Sequence, residues 1–271
     1  MMRSLAYATL VAAFCVFSFS NAWADKRLAA DPNGIVRAAA AISGSTSPGV
    51  IDHLLKRPAG ESEGSAFVPV TISINYPSFG HAAIDADIRD WATGIADAFE
   101  NHFDGTVLAP INVPEEGDDD LDKAEPAPVS LDLQASYTVS RPSGNAVSIT
   151  FELWNYTGGP SGNMDIITLN YSLITGQRLD LVDLFELPET ALHLMSTFSR
   201  RELGKTMGGQ RLLNGTEPLP ENFASLTLTP QGIRIHFQPY QVAGWEMGAQ
   251  EVDMPLAELA TAGPLLTLWG K

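Results

Sequence analysis

Residues 131–153 constrain the fold more than any other stretch of this chain. Leu131, Leu133, Ala135, Tyr137 and Val139 alternate with mainly polar residues as far as Arg141-Pro142-Ser143-Gly144-Asn145. Val147, Ile149, Phe151 and Leu153 alternate on the far side of that turn. Period-two apolar runs on either side of a Pro/Gly/Asn turn predict an antiparallel hairpin with one buried face. The pattern recurs near the C-terminus. Leu226 and Leu228 lead to Thr229-Pro230-Gln231-Gly232, and Ile233, Ile235 and Phe237 alternate afterwards. Two single strands are expected besides. One runs from Phe67 through Val70, Ile72 and Ile74 to Tyr76 and is stopped by Pro77. The other carries Ile167, Leu169, Tyr171 and Leu173 and is turned by Thr175-Gly176-Gln177.

Two long helices are legible among these strands. Ile84, Ile88, Trp91, Ile95 and Phe99 recur at spacings of four, three, four and four, which predicts an amphipathic helix over 81–103 packed on a sheet. Pro188, near a helix start, precedes Leu192, Met195, Phe198 and Leu203, and the spacing predicts a helix over 188–206 ended by Gly208-Gly209. Ser47-Pro48 before Val50, Ile51, Leu54 and Leu55 predicts one further short helix. Antiparallel strands with a few long packed helices, and no repeating βαβ order, indicate an α+β fold.

The ends and the charge bound where such a chain works. Arg3, the apolar run Leu5–Phe19 and Ala22-Trp23-Ala24 read as a cleaved signal peptide over 1–24, which predicts Asp25 as the mature N-terminus and a periplasmic or secreted protein. Cys15, inside that run, is the sole cysteine, so the exported part has no disulfide and depends on a packed core. An apolar content of 45% supplies one. After signal cleavage no segment is long and apolar enough to be a transmembrane helix. The chain carries 16 Lys and Arg against 32 Asp and Glu, a net charge of −16. That excess repels nucleic acid and suits a basic partner, the alternative being that it serves solubility alone.

The motifs argue against chemistry. The five histidines lack the spacing of a zinc site, and Asp118-Asp119-Asp120-Leu121-Asp122 lacks both the glycine and the final acid of a calcium loop. Ser161 has Gly159 two residues before it, but Asn163 stands where a nucleophile elbow needs its second glycine. We therefore expect no catalytic residue, no metal and no cofactor, and a protein that is not an enzyme. What remains are two loops rich in Gly, Pro and aromatics, 154–163 and 237–248. Trp154, Tyr156, Gly158, Gly159, Ser161, Tyr240 and Trp245 are the candidate ligand-binding residues, because aromatics beside small residues suit sugar and protein surfaces. The two loops are expected at one end of the sheet, as a shared surface.

A resemblance sits on the same residues. Tyr156-Thr157-Gly158-Gly159, the run Asn170–Phe185, Leu228–Ile233 and the stretch from Phe237-Gln238-Pro239-Tyr240-Gln241 to Met254-Pro255 resemble an exported RsiV/PdaC-type module. That module forms the extracellular part of the lysozyme-sensing anti-sigma-V factor RsiV and the non-catalytic part of the peptidoglycan deacetylase PdaC. The likeness covers roughly residues 66–260. It departs at Gly158-Gly159-Pro160-Ser161, where the family carries Gly-Gly-Ala-His, and the deacetylase and anti-sigma segments have no counterpart. The resemblance implies two interlocked subdomains: a PdaC-like one over 66–177, with an acidic loop at 104–128, and an RsiV-like one over 178–260. A linker or short-helix arm at 25–65 and a tail at 261–271 would flank them. It further implies recognition of peptidoglycan or of a wall-directed basic protein such as a lysozyme. The alternatives are a peptidoglycan-modifying enzyme with an unrecognised site and a structural envelope protein.

Overall fold

The computed structural model describes residues 49–57, 69–103, 130–158, 161–207 and 214–271. The expected signal peptide, most of the arm, the acidic loop 104–128, Gly159 and Gly208-Gly209 lie outside them. Five strands form the first sheet in chain order: β1 (Ile51–Arg57), β2 (Val70–Ser78), β3 (Leu131–Ser143), β4 (Ala146–Tyr156) and β5 (Asn163–Ser172). The β3–β4 hairpin has the expected register, with Ala135 opposite Leu153 and Val139 opposite Ile149. β2 and β3 pair in parallel, the one departure from an antiparallel sheet. The cause is the helix between them, α1 (Ala82–Phe103), because a strand that returns through a helix re-enters the sheet in the same direction.

α1 covers one face of this sheet. Its stripe buries Ile84, Ile88, Trp91 and Ile95, and Trp91 packs on Phe151 of β4 with ring centroids 4.1 Å apart. Alternation supplies the opposing residues Ile72, Ile74, Leu133, Val147, Ile149, Leu169 and Tyr171. The Asp85 carboxylate accepts the Phe79 N–H at 2.7 Å and fixes the entry into α1. At the other end Arg57 of β1 donates to Asp97 at 2.6 Å and to Glu100.

The second layer has its own core. It contains α2 (Leu181–Leu184), α3 (Pro188–Thr206) and a three-stranded antiparallel sheet, β6 (Leu226–Thr229), β7 (Gly232–Phe237) and β8 (Gln250–Pro255). Met195, Phe198 and Leu203 of α3 meet Leu228, Ile235, Phe237 and Met254 there.

The two layers meet at a polar seam. β4 and β5 bury hydroxyl and amide side chains on the face away from α1, which explains why β5 is buried on both faces from Thr168 to Ser172. Ser148 Oγ accepts the Leu228 N–H at 2.9 Å and donates to Asn170 Oδ1 at 2.5 Å. Asn170 Nδ2 donates to the Leu226 carbonyl at 2.9 Å, and Thr168 Oγ1 accepts the Leu226 N–H at 2.9 Å. Polar groups so buried are tolerated because each has a partner, and loss of one partner strands another.

The structure corrects four expectations. Residues 51–57 are strand β1, not a short helix. Ile51, Leu54 and Leu55 have helical spacing, but pairing with β2 overrides it, and His53, Leu55 and Arg57 alternate onto the α1 side instead. Pro77 does not end β2, which runs to Ser78 with Pro77 opposite Asp52. β8, with Val252 and Met254 alternating inward, was missed as a strand. The tail is structured as well. A turn of 3-10 helix at Leu266–Trp269 buries Trp269, whose indole N–H is shared between the carbonyls of Thr229 (3.0 Å) and Gly232 (3.2 Å). Ser143 and Asn145 of the β3–β4 turn bond the same segment, at the carbonyls of Leu268 and Thr267.

Candidate functional site

The loop after β7 is built to hold one aromatic residue in an unfavourable backbone conformation. Gln238-Pro239-Tyr240-Gln241 is a β-turn closed by the Gln241 N–H on the Gln238 carbonyl at 3.0 Å. Proline suits its second position, but the third, Tyr240, has φ +68°, where glycine is usual. Among the described residues no other non-glycine has a positive φ. A side chain there costs roughly 1–2 kcal/mol. The return is an exposed ring: Tyr240 is 62% exposed and stacks on Trp245, itself 37% exposed, with centroids 5.2 Å apart and planes 27° apart. Strain of this kind persists only where the surroundings over-determine it.

Two glutamines do that. The Gln238 side chain docks on the edge of β5, accepting the Ile166 N–H at 2.7 Å and donating to the Ile166 carbonyl at 2.6 Å. Gln241 Oε1 accepts the Gln238 N–H at 2.9 Å, while its Nε2 donates to the carbonyls of Gly215 (3.0 Å) and Asn222 (2.9 Å). Val242 and Ala243 are buried behind them. Sequence reading picked out the aromatics and missed these anchors. The signal was present in Gln-Pro-Tyr-Gln, where two amides flank a proline-directed turn.

The 154–163 loop places its aromatics differently. Trp154 and Tyr156 lie two residues apart on β4, on the same face, and stack with centroids 6.3 Å apart and planes 8° apart. A Cβ on Gly162 would stand 2.5 Å from the Trp154 indole, so only glycine lets the ring lie flat there. Gly158, with φ +83°, turns the chain out of β4. Ser161 is exposed. Trp154 stands opposite Met164 on β5, and Met164 is 39% exposed.

The loops therefore share a base. Alternation puts Met164 and Ile166 on the Trp154 face, and the Ile166 backbone is the anchor of Gln238. Among the described residues the two aromatic pairs make no ring contact with each other. The two stacked pairs, or plates, with the Met164–Ile166 stretch of β5 that both loops use, are called the ledge below. Exposed carboxylates lie beside each plate: Glu152 precedes Trp154 on its own face of β4, and Glu246 follows Trp245. Asp165, between Met164 and Ile166, points to the opposite face near Asn155, and burial pushes its pKa up to about 6.

No group of three or more metal-binding side chains occurs among the described residues. Among the described residues Thr227, His236 and Glu251 form a hydroxyl–histidine–carboxylate row. Thr227 Oγ1 lies 2.8 Å from His236 Nε2, and His236 Nδ1 lies 3.0 Å from Glu251. Hydrogen bonding to His236, with Arg234 nearby, holds Glu251 below its ordinary pKa. Thr227 and His236 are buried, and Thr150 Oγ1 closes the far side of Thr227 at 2.6 Å. The row thus belongs to the seam, with its hydroxyl and imidazole buried between the layers. A cavity of about 230 Å³ lies between the layers, lined by Asn170, Arg178, Leu181, Phe223 and Leu226 among others. No helix among the described residues is long and apolar enough to cross a membrane.

Comparison with known proteins agrees with this architecture. Residues 182–257, the segment from α2 through β8, match DUF3298, a family described as a protein of unknown function. Over 184 residues, 66% of this chain, the sequence is 25% identical to the peptidoglycan-N-acetylmuramic acid deacetylase PdaC of Bacillus subtilis (strain 168). The chain spans only 36% of that protein's length. A solved DUF3298-family structure from Bacteroides fragilis NCTC 9343 superposes with a TM-score of 0.57 at 16% identity, covering 81% of this chain and 95% of that one. Another, from Pseudomonas aeruginosa PAO1, gives 0.50 at 15% identity, covering 79% and 96%. The solved structures share the fold, and the match to the DUF3298 model lies within residues 182–257.

Proposed function

We propose that this protein is an exported, non-catalytic recognition module of the cell envelope, periplasmic or secreted. In this reading the ledge of Trp154, Tyr156, Tyr240 and Trp245 binds a cell-wall component or a wall-directed basic protein of the lysozyme kind. The observation that carries it is Tyr240. A fold that keeps an exposed tyrosine at φ +68°, stacked on an exposed tryptophan and clamped by two glutamines, gives up stability to present that ring. Two further points support it. The similar Bacillus protein is by name a peptidoglycan deacetylase, and the net charge of −16, with Glu152 and Glu246 beside the plates, suits a basic partner.

The reading is tested by calorimetry with a basic lysozyme and, separately, with soluble peptidoglycan fragments. Trp245→Ala or Tyr240→Ala is expected to weaken binding by about 1 kcal/mol or more, as interface aromatics commonly do. Tyr240→Gly separates strain from recognition. It relieves the backbone, so thermal stability stays level or rises while affinity falls. Salt should slow association more than it speeds dissociation if the partner is a basic protein. No heat with either ligand, from folded protein, removes the proposal. Equal affinity of the wild type and Tyr240→Gly moves the site elsewhere.

A further inference from the structure

The second layer covers part of the first-sheet face turned away from α1. On β4 it reaches Thr150, which is buried against Thr227. Past that point the same face carries a line of side chains across every strand. Strand pairing sets Lys56 of β1 opposite Ser73 of β2, Ser73 opposite Gln134 of β3, Gln134 opposite Trp154 of β4, and Trp154 opposite Met164 of β5. All five share the face, because the residues beside them, among them Leu55, Ile72, Leu133 and Leu153, pack on the α1 side. Lys56, Gln134 and Met164 are exposed, and Ser73 and Trp154 are half-buried.

The spacing and chemistry of this line fit a linear sugar chain. Adjacent strands lie about 4.8 Å apart, close to the rise of one ring in an extended β-linked glycan, so successive sugars meet successive strands. Ser73 and Gln134 supply hydroxyl and amide groups that both donate and accept hydrogen bonds, as sugar hydroxyls require. The Trp154 indole, lying over Gly162, supplies a flat apolar surface for the C–H face of one ring. Carboxylates flank that ring on this face: Glu152, exposed, two residues before Trp154 on β4, and Asp132, opposite Tyr156 on β3. They complement the hydroxyl and acetamido N–H donors of an N-acetylated amino sugar. At the β5 end the line meets the ledge, whose Gln238 anchor sits at Ile166, two residues from Met164.

We propose that this line is a glycan track. A chain of β-linked N-acetylhexosamines lies across the strands from Met164 toward Lys56, about one sugar per strand. One ring stacks on Trp154 between the two carboxylates, and the next rings are held by Gln134 and Ser73. The proposal rests on the cell-wall arm of the reading above and extends it: the ledge supplies the aromatic end of the track, while Gln134, Ser73 and Lys56 lie outside the ledge. Because later sugars add contacts without a second loss of translational freedom, affinity grows with chain length until the line is filled.

The test is calorimetry of the full protein with the soluble dimer and pentamer of β-linked N-acetylglucosamine. The pentamer should bind about tenfold more tightly than the dimer, or better. Trp154→Ala should weaken the pentamer by about tenfold. Gln134→Ala should weaken it by about fivefold, the loss of one or two hydrogen bonds. Gln134 is exposed, so this variant should melt like the wild type and keeps the test valid should Trp154→Ala unfold. A pentamer no tighter than the dimer, or a folded Gln134→Ala that binds the pentamer as the wild type does, overturns the track. The ledge reading then still stands if a basic lysozyme or peptidoglycan fragments bind the wild type and lose affinity with Tyr240→Gly. Absence of binding to every one of these ligands removes both.

Discussion

Replacing Trp91 by alanine is expected to cost about 3–5 kcal/mol, the usual range for a large buried aromatic. Trp91 is 8% exposed, sits at the centre of the α1 stripe, and lies 4.1 Å from Phe151. Its removal opens a cavity between helix and sheet that backbone on both sides prevents from collapsing. The denaturation midpoint reports the loss, with the slope unchanged if the unfolded state is unaffected. Loss on that scale would confirm that α1 is held by packing rather than by its Arg57 ion pairs, which are partly exposed and contribute little each. A midpoint equal to the wild type's would mean that the stripe does not rest on β4.

Asp165→Asn is expected to stabilise the protein near neutral pH. Burial raises the Asp165 pKa from 3.8 to about 6, so the folded state prefers the neutral carboxyl. For a group whose pKa is raised by folding, the stability contribution is complete below the unfolded value and is lost as pH rises through the folded one. Between about pH 4 and 6 the wild type should therefore lose up to about 3 kcal/mol that the amide variant keeps. The two proteins should match near pH 4 and diverge by pH 7. Glu251 and Asp253 work in the opposite sense. Hydrogen bonds from His236 and Arg234 respectively hold their pKa values down, so they stabilise above the ordinary carboxylate range and cease to do so in acid. Those contributions are common to both proteins, and the difference between the two stability curves isolates Asp165. Parallel curves from pH 4 to 7 would show that the Asp165 carboxylate is as well solvated as in the unfolded chain.

The sequence made the strands and long helices legible wherever a buried face repeats with a fixed period. The stripe of α1 and the alternation of β3, β4 and β7 are of this kind, because each packs one side on a core. The reading failed where the deciding partner is distant in sequence. Ile51, Leu54 and Leu55 suit a helix locally, and only β2 makes them a strand. The parallel β2–β3 pairing was hidden for a similar reason: strand direction is set by the connection and not by side-chain pattern. The C-terminal segment looked like a tail because its anchors, the Trp269 indole on Thr229 and Gly232 and the Ser143 and Asn145 side chains on Leu268 and Thr267, are long-range hydrogen bonds with no periodicity.

The candidate site shows the same division. Tyr240, Trp245, Trp154 and Tyr156 stood out by composition, and the structure makes them two stacked pairs. Gln238 and Gln241 did not stand out, since an amide that serves backbone groups tens of residues away reads locally as an ordinary polar residue. Gly159 and the acidic loop 104–128 fall outside the described residues, so the expected roles of both rest on sequence alone.

The indole N–H spectrum tests the central claim most directly, because the tryptophans of the folded part divide between the ledge and the core. Trp154 and Trp245 stand on the ledge, while Trp91 and Trp269 are buried in the two cores. Nitrogen-15-labelled protein is titrated with a basic lysozyme and, in a second series, with soluble peptidoglycan fragments. Recognition by the ledge predicts that the Trp154 and Trp245 resonances shift or broaden with one of these ligands while those of Trp91 and Trp269 stay in place. Saturating ligand that leaves Trp154 and Trp245 unmoved, or that shifts Trp91 and Trp269 instead, would contradict it.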